Sequence, residues 1–159
     1  MDHPNRKQIR IPDFDYSSHG AYFVTICTHN RKMLFGQVGE QTAATKMLEQ
    51  TLAQTLCAFP QITCPKYVIM PNHIHAILMV DQTETDPGNS IIDVIRVFKS
   101  KSTVAYIRLV REGKAPAFDK HVWQRSFYDH AIRNETDYEE IWNYIDTNPL
   151  RWKLKKTTK

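Results

Sequence analysis

Two strand-like runs separated by only two residues constrain the fold of this chain most strongly. The runs "ITCPKYVIM" and "HIHAILMV" are apolar and rich in β-branched residues, and they meet at Pro71-Asn72. Such runs joined by a tight turn predict a β-hairpin. Because proline cannot take the positive φ of the preferred two-residue hairpin turns, we expect a type I turn or a bulged, longer loop.

Strand-like and helix-like segments alternate along the rest of the chain. The run "AYFVTICTH" (21–29) predicts a buried strand, and "TAATKMLEQTLAQTLCAF" predicts an amphipathic helix that stops near Pro60. The segment from Ser90 to Val110 predicts the longest helix, with Ser90 and Asp93 as its capping box. "VWQRSFYDHAI" (122–132) predicts one more strand.

A final helix is predicted over "TDYEEIWNYIDTN". Thr136 and Glu139 have the spacing of a capping box, and Pro149 is expected to end the helix. At about 100° per residue, its buried stripe is predicted to consist of Tyr138, Ile141 and Ile145.

This order of elements predicts an α+β fold of the ferredoxin-like (split βαβ) type. In such a sandwich, helices cover one face of an antiparallel sheet, and the other face is left for a ligand or a covering segment. The chain has 159 residues, with no internal repeat and no linker-like stretch. We therefore expect a single domain over residues 1–159.

Charge is concentrated at the two ends of the chain. The net charge is +4 and the pI is about 9.0, with a basic N-terminal segment (1–19) and a basic C-terminal tail (151–159). Clustered cations beside a globular centre are typical of nucleic-acid binders, although two solvated tails would look the same.

Other composition features bear on location and redox state. No apolar run approaches the roughly 20 residues needed to cross a bilayer, and the first residues lack a signal-peptide core, so a cytoplasmic protein is expected. The three cysteines are odd in number and form no CxxC pair, which favours reduced thiols packed as small hydrophobes.

Two histidines at the start of a strand are the first candidates for a functional site. His73 and His75 project to the same side of the strand, where two imidazoles can share a metal ion. A hydrogen-bonded histidine pair is the alternative. In the last helix, Tyr144 and Asn148 lie one turn apart at the margin of the buried stripe. They could face a cleft, or they could be an interface tyrosine and a helix-ending asparagine.

Several segments together resemble one known family. "DYSSHGAYFVTICTHNR", "YVIMPNHIHAILMV", "VFKSKST", "VWQRSFYDHAIRNE" and "YIDTNPLRW" are similar to the REP-associated tyrosine transposases, from about Arg10 to Trp152. These are a branch of the single-strand-DNA transposases and HUH (histidine–hydrophobic–histidine) endonucleases. The resemblance implies that His73 and His75 belong to the HUH motif, that Tyr144 is the nucleophile and that Asn148 is a third metal-binding side chain. Insertion-sequence relatives usually carry glutamine where Asn148 stands, whereas the REP-associated branch carries asparagine.

The resemblance also implies a function. We expect a single-strand DNA endonuclease and strand transferase that uses Mg²⁺ or Mn²⁺, acts on hairpin-forming repetitive extragenic palindromes and forms a 5′-phosphotyrosine. A nucleoid-associated monomer is favoured, and a dimer remains open. The alternative is a non-catalytic module that binds nucleic-acid hairpins. A hydrolase of small phosphate esters is disfavoured, because the carboxylates that usually hold its metal ions are missing from the pattern.

Further residues are candidates for secondary roles. The predicted phosphate contacts are Arg10, Lys99, Lys101 and Arg125. Tyr128 is the main rival nucleophile, with packing or DNA contact as its favoured role, and His130 is a rival metal ligand ranked below Asn148. The aromatic residues that could stack on bases are Trp123, Phe127, Trp142 and Trp152, of which Trp142 is expected to be packed instead.

Overall fold

A four-stranded antiparallel sheet organises the protein. The computed structural model describes residues 20–81 and 90–157. The elements in chain order are β1 (Gly20–Cys27), a 3₁₀ turn (His29–Arg31), α1 (Ala43–Cys57), β2 (Ile62–Met70), β3 (His73–Val80), α2 (Ile91–Arg111), β4 (Tyr128–Ile132) and α3 (Glu135–Thr157). The strand order is β2-β3-β1-β4. This order and connectivity confirm the predicted ferredoxin-like α+β fold.

The central hairpin closes through the shortest possible connection. Met70 pairs with His73, so Pro71 and Asn72 alone form the turn between β2 and β3. Neither turn residue has a positive φ, as expected of a turn that contains proline. The longer loop that was considered for this position is not needed.

The same turn is fastened to the segment that follows β1. The carbonyl of Pro71 accepts the backbone N–H groups of Leu34 and Phe35, at 3.0 and 3.1 Å. The carbonyl of Asn72 accepts the N–H of Thr28 at 3.0 Å. These bonds fix the turn, and therefore the start of β3, against the rest of the sheet.

The main core lies between the sheet and the layer formed by α1 and α2. Alternate residues of β1 and β3 face it: Tyr22, Val24, Ile26, Ile74, Ala76, Leu78 and Val80. Helix α2 contributes Ile91, Val94, Ile95 and Phe98. The predicted Ser90–Asp93 capping box is also confirmed.

Helix α3 departs from the prediction at both ends. Asn134 caps its start, because the Asn134 Oδ1 accepts the N–H of Asp137 at 2.8 Å, so the Thr136–Glu139 capping box was wrong. Pro149 lies inside the helix and does not end it. Pro149 has no N–H to bond to the carbonyl of Ile145, and the helix nevertheless continues to Thr157. Residues 151–157, expected to form a tail, are helical.

The strand predicted over 122–132 is shorter than expected. Only Tyr128–Ile132 joins the sheet, apart from an isolated bridge between Trp123 and Thr28. The ammonium of Lys99 donates to three successive carbonyls, those of residues 124, 125 and 126, at 2.8, 3.2 and 3.0 Å. Carbonyls that converge on one cation cannot also alternate along a strand ladder, so the strand begins only after them.

Two composition-based expectations can be compared with the structure. All three cysteines lie in the described part of the chain and none forms a disulfide, as predicted. Cys27 is buried, and burial raises the pKa of the half-buried Cys64 thiol to about 12, but Cys57 is exposed and not packed. Within the described residues, no helix is both long and apolar enough to cross a membrane.

Candidate active site

The second face of the sheet carries polar side chains and is covered by α3. In the pairing of β1 with β3, Thr25 lies opposite His75 and Cys27 lies opposite His73. Strand alternation sends these four side chains away from the α1/α2 core. Helix α3 packs over this face against β2 and β3.

A cavity of about 750 Å³ lies between this face and α3. All four residues of the predicted site line it: His73, His75, Tyr144 and Asn148. The other lining residues are Phe23, Thr25, Cys27, Arg31, Tyr128, Asp137, Glu140, Ile141, Arg151, Trp152 and Leu154. The structure therefore brings together one strand motif and one helix motif that are distant in sequence.

His73 is held in one orientation by its neighbour in the turn. Its Nδ1 lies 2.7 Å from the Oδ1 of Asn72, and the Nδ2 of Asn72 donates to the carbonyl of Arg31 at 3.2 Å. Because that second bond fixes the amide, Asn72 presents an acceptor to the imidazole. The hydrogen of neutral His73 therefore sits on Nδ1, and Nε2 carries the lone pair.

His75 has a comparable support. Its Nδ1 lies 2.8 Å from the Oγ1 of Thr25, and its ring stacks on Phe23 with centroids 5.3 Å apart. The two imidazole centroids are 4.6 Å apart, and both histidines are buried. Two neighbouring imidazoles, each with Nδ1 in a hydrogen bond, match the way that histidines are supported when they bind a metal ion.

A divalent ion would need a further donor beside the imidazoles. In the described part of the chain, no group of three His, Cys, Asp or Glu side chains is placed to hold a metal ion. The amide oxygen of Asn148, buried in the wall of the same cavity, can supply the third protein donor. Two imidazoles by themselves favour zinc or a late transition metal, whereas the amide oxygen and the positions left for water and substrate oxygens suit the Mg²⁺ or Mn²⁺ that the resemblance implies. The residues present fit such an ion.

Tyr144 stands beside the histidine pair. Its ring centroid is 5.4 Å from that of His75 and 6.0 Å from that of Phe23, which it meets edge-on at 88°. The guanidinium carbon of Arg151 lies 4.3 Å from the centroid of the Tyr144 ring. Aromatic and cationic neighbours on several sides restrict the ring to the wall of the cavity.

The two rival residues fare differently. Tyr128 also lines the cavity, and its ring lies 6.4 Å from Phe23, so it remains a competitor of Tyr144 by position. His130 does not line this cavity. Its Nε2 lies 3.0 Å from the Oδ2 of Asp137, and the hydrogen bond from His130 is the main reason that the pKa of the Asp137 carboxyl is lowered.

The predicted phosphate contacts do not gather at the cavity. The three hydrogens of the Lys99 ammonium are used by the three carbonyls described above, so its geometry favours a structural role. Lys101 is exposed on α2 and Arg125 is exposed in the loop before β4, and both stay predictions. Arg10 and the rest of the basic N-terminal segment (1–19) lie outside the described residues.

The predicted stacking residues are also divided. Trp123 and Phe127 are buried in the main core, so a role in base stacking was wrong for both. Trp142 is half-buried under the ammonium of Lys66, 4.9 Å from its ring, which agrees with the expected packing. Trp152 lines the cavity, with its ring 5.9 Å from that of His73, and stays a stacking candidate.

Sequence reasoning missed several residues of the site. Thr25 and Phe23 could have been found from the alternation of β1 once its pairing with β3 was assumed. Arg151 lies three residues after Asn148 and seven after Tyr144, which places it on the same face of a helix. It was missed because the helix was expected to end at Pro149. Asn72 carries no sequence signal beyond its place in the turn.

Known proteins of one family resemble this chain. Residues 16–148 match the family model described as "Transposase IS200 like". The chain belongs to this family. An uncharacterized protein of Haemophilus influenzae is 32% identical over 169 residues, covering 93% of this chain and 90% of the relative. A protein of Escherichia coli K12 named REP-associated tyrosine transposase is 24% identical over 136 residues, covering 86% and 70%.

A solved structure shares the fold. The REP-associated tyrosine transposase bound to a REP hairpin superposes with a TM-score of 0.63 at 24% sequence identity, covering 87% of this chain and 71% of that chain. Together with the named relatives, this match confirms the resemblance to REP-associated tyrosine transposases within the IS200-like family.

Proposed function

We propose that this member of the IS200-like transposase family is a metal-dependent endonuclease and strand transferase that acts on single-stranded, hairpin-forming DNA. The observation that carries the proposal is that the histidine pair of β3 lines one cavity with Tyr144 and Asn148 of α3. In this proposal His73 and His75 form the HUH motif. Family membership supports the general activity, and the geometry supports the assignment of residues.

The proposed reaction is a transesterification at one phosphodiester. The Oη of Tyr144 attacks the phosphorus, the P–Oη bond forms, and the bond from phosphorus to the 3′ oxygen breaks. The phenolic proton passes to water, and the departing oxygen takes up a proton to become a 3′-hydroxyl. The 5′-phosphotyrosine retains the energy of the phosphodiester, so a 3′-hydroxyl can reverse the reaction and join strands without ATP.

The residues around the nucleophile would hold the reacting groups in place. A Mg²⁺ or Mn²⁺ ion would be held by His73, His75 and Asn148, and when bound it would supply positive charge to the phosphate oxygens. Asn72 and Thr25 orient the two imidazoles through the bonds to their Nδ1 atoms. Hydrogen bonds of this kind fix the tautomer and the ring orientation of a metal-binding histidine.

The proposed substrate is DNA of repetitive extragenic palindromes. A solved relative of the same fold is bound to such a hairpin, and the cavity here is large enough for a nucleotide at its mouth. Trp152 and Tyr128 offer aromatic faces in the cavity wall on which an unpaired base can stack. The proposed active unit is a monomer, and a dimer is the alternative.

Cleavage of labelled hairpin oligonucleotides in the presence of Mn²⁺ tests this proposal. We expect a protein–DNA band that survives denaturant, and its loss in EDTA and in His75→Ala. His121→Ala is the matched control, since His121 is an exposed histidine outside the cavity, and it should retain the band. Full activity in EDTA would contradict the metal requirement, and hairpin binding without any covalent band would favour a non-catalytic binding module.

A further inference from the structure

We propose that Arg151 binds a non-bridging oxygen of the phosphate that Tyr144 attacks. The inference rests on the proposed role of Tyr144 and adds a second residue of α3 to the reaction. It follows from the position, the hydrogen-bonding capacity and the charge of the Arg151 side chain.

The position of Arg151 is set by the continuation of α3 past Pro149. Arg151 lies about two helical turns after Tyr144, so its side chain can run back along the same face of the helix. The guanidinium carbon lies 4.3 Å from the centroid of the Tyr144 ring, and Arg151 lines the same cavity as the histidine pair. A phosphate in contact with the Tyr144 hydroxyl would therefore lie within reach of the guanidinium after a small side-chain movement.

Arg151 also keeps hydrogen-bond donors for a ligand. Its Nη2 donates to the carbonyl of Tyr144 at 2.6 Å, and its Nη1 donates to the Oγ1 of Thr147. A guanidinium has five N–H donors, so two are used in the described part of the chain and three remain. The two bonds hold the planar group against the helix, and the three remaining N–H groups can donate to an acceptor.

The charge of Arg151 has no acidic partner among the residues that the structure describes. Some cations elsewhere have one, as in Lys66–Asp146 and Arg96–Asp93, both at 2.7 Å. The Asp137 carboxylate in the cavity wall is bonded to His130 and to the N–H of Arg133. A positive charge beside the nucleophile, with no carboxylate of the described residues within ion-pair distance, is suited to an anion, and a phosphodiester is the anion that this reaction brings.

The chemistry explains why an arginine is useful at this point. During attack, negative charge is distributed over the non-bridging oxygens of the phosphate, and donors fixed nearby stabilise it. A planar guanidinium can donate two parallel N–H bonds to a phosphate, which the ammonium of a lysine cannot do. Arg151 therefore has the geometry of a residue that binds the phosphate more strongly as the reaction proceeds.

A purely structural role is the competing explanation. The bonds to the Tyr144 carbonyl and to Thr147 could serve only to strengthen the helix near Pro149. That role would be independent of the charge on the phosphate. A substrate with a neutral methylphosphonate at the cleaved position separates the two explanations, because it removes one charged oxygen and leaves the protein unchanged.

The experiment measures single-turnover formation of the covalent adduct by wild type, Arg151→Ala and Arg151→Lys. On the native hairpin we expect Arg151→Ala to slow the reaction by about 100-fold or more, and Arg151→Lys to recover part of the loss. On the methylphosphonate hairpin the loss should shrink to within a few-fold. Arg111→Ala, an exposed arginine at the end of α2, is the matched control and should react like wild type.

A binding measurement covers the case in which the neutral substrate does not react. In a Tyr144→Phe background, the methylphosphonate should weaken hairpin affinity several-fold, and adding Arg151→Ala should abolish that difference. Three results would overturn this inference without affecting the proposed function. Arg151→Ala could react at the wild-type rate, or it could lose the same factor in rate on both substrates. In the Tyr144→Phe background, it could leave the difference in affinity between the two hairpins unchanged. No adduct from the wild type would overturn the proposed function, and this inference with it.

Discussion

The two faces of the sheet are buried to a similar degree but hold opposite kinds of side chain. Along β3, Ile74 is 4% exposed on the side of α1 and α2, and His75 is 6% exposed on the side of α3. Ile74 packs in a continuous apolar cluster, whereas His75 is hydrogen-bonded to Thr25. Burial on the first face supplies hydrophobic stabilisation, and burial on the second face costs free energy that hydrogen bonds must offset. Along β3, a residue of the hydrophobic core and a residue of the candidate site are therefore direct neighbours in sequence.

Truncating Ile74 and His75 one at a time should separate the contribution of each face of the sheet to stability from its contribution to activity. Ile74→Ala removes buried carbon atoms and should lower the free energy of unfolding by about 2–5 kcal/mol. His75→Ala should cost less, about 1–3 kcal/mol, because the buried Thr25 hydroxyl loses its hydrogen-bond partner. Urea unfolding of both variants measures the difference.

Activity should follow the opposite order. Folded Ile74→Ala should retain adduct formation, and His75→Ala should lose it. If Ile74→Ala loses adduct formation while still folded, or if both variants are equally destabilised, the two faces are not separable in this way.

Substituting Lys99 tests whether a polar side chain on the α2 side of the sheet stabilises the fold. Lys99→Met removes three hydrogen bonds to the carbonyls of residues 124–126 and should destabilise the protein by about 1–3 kcal/mol. Lys101→Met, at an exposed position on the same helix, should leave the unfolding midpoint nearly unchanged. If Lys99→Met and Lys101→Met are equally stable and Lys99→Met binds the hairpin more weakly, Lys99 is a phosphate contact rather than a structural residue.

A weaker interaction ties α3 to the sheet. The ammonium of Lys66 on β2 lies 2.7 Å from the Oδ1 of Asp146 on α3, and Asp146 is largely exposed. Pairs of this kind contribute about 0.2–1 kcal/mol. A double-mutant cycle with Lys66→Met and Asp146→Asn should give a coupling energy in this range. A coupling well above 1 kcal/mol would show that α3 depends on this pair more than the geometry indicates.

The smallest effect concerns acid pH. The hydrogen bond from His130 lowers the pKa of Asp137 below its ordinary value of 3.8. The ionised carboxylate therefore contributes stability above pH 3.8, and this contribution is lost as the pH falls towards the lowered value. Wild type should unfold at a slightly higher temperature than Asp137→Asn at pH 6, and the gap should close below pH 3.8. A gap that widens in acid would contradict this sign.

Much of the site could be predicted because it obeys simple periodicities. Period-two alternation places His73 and His75 on one side of β3, and a spacing of four residues places Tyr144 and Asn148 on one side of α3. What periodicity could not supply was the contact between the two elements. The resemblance to a known family supplied that, and the cavity that they share agrees with it.

The failures have physical causes that local sequence patterns do not show. Pro149 is a strong local signal for a helix end, but the helix continues past it, and beyond it Arg151 contacts Tyr144 and Trp152 contacts His73. Lys99 resembled a solvent-facing cation on a basic helix, but a distant loop supplies carbonyls to its ammonium. In both cases tertiary contacts decided the outcome, as propensity rules allow.

The identity of the tyrosine that becomes bonded to DNA tests the account most directly, because Tyr144 and Tyr128 line the same cavity. The adduct formed on a hairpin oligonucleotide is trapped, digested and read by mass spectrometry. The account predicts a phosphotyrosyl peptide that contains Tyr144, no adduct from Tyr144→Phe, and an adduct from Tyr128→Phe with at most a modest loss of rate. A phosphotyrosyl peptide that contains Tyr128, or an adduct that persists in Tyr144→Phe, would contradict it.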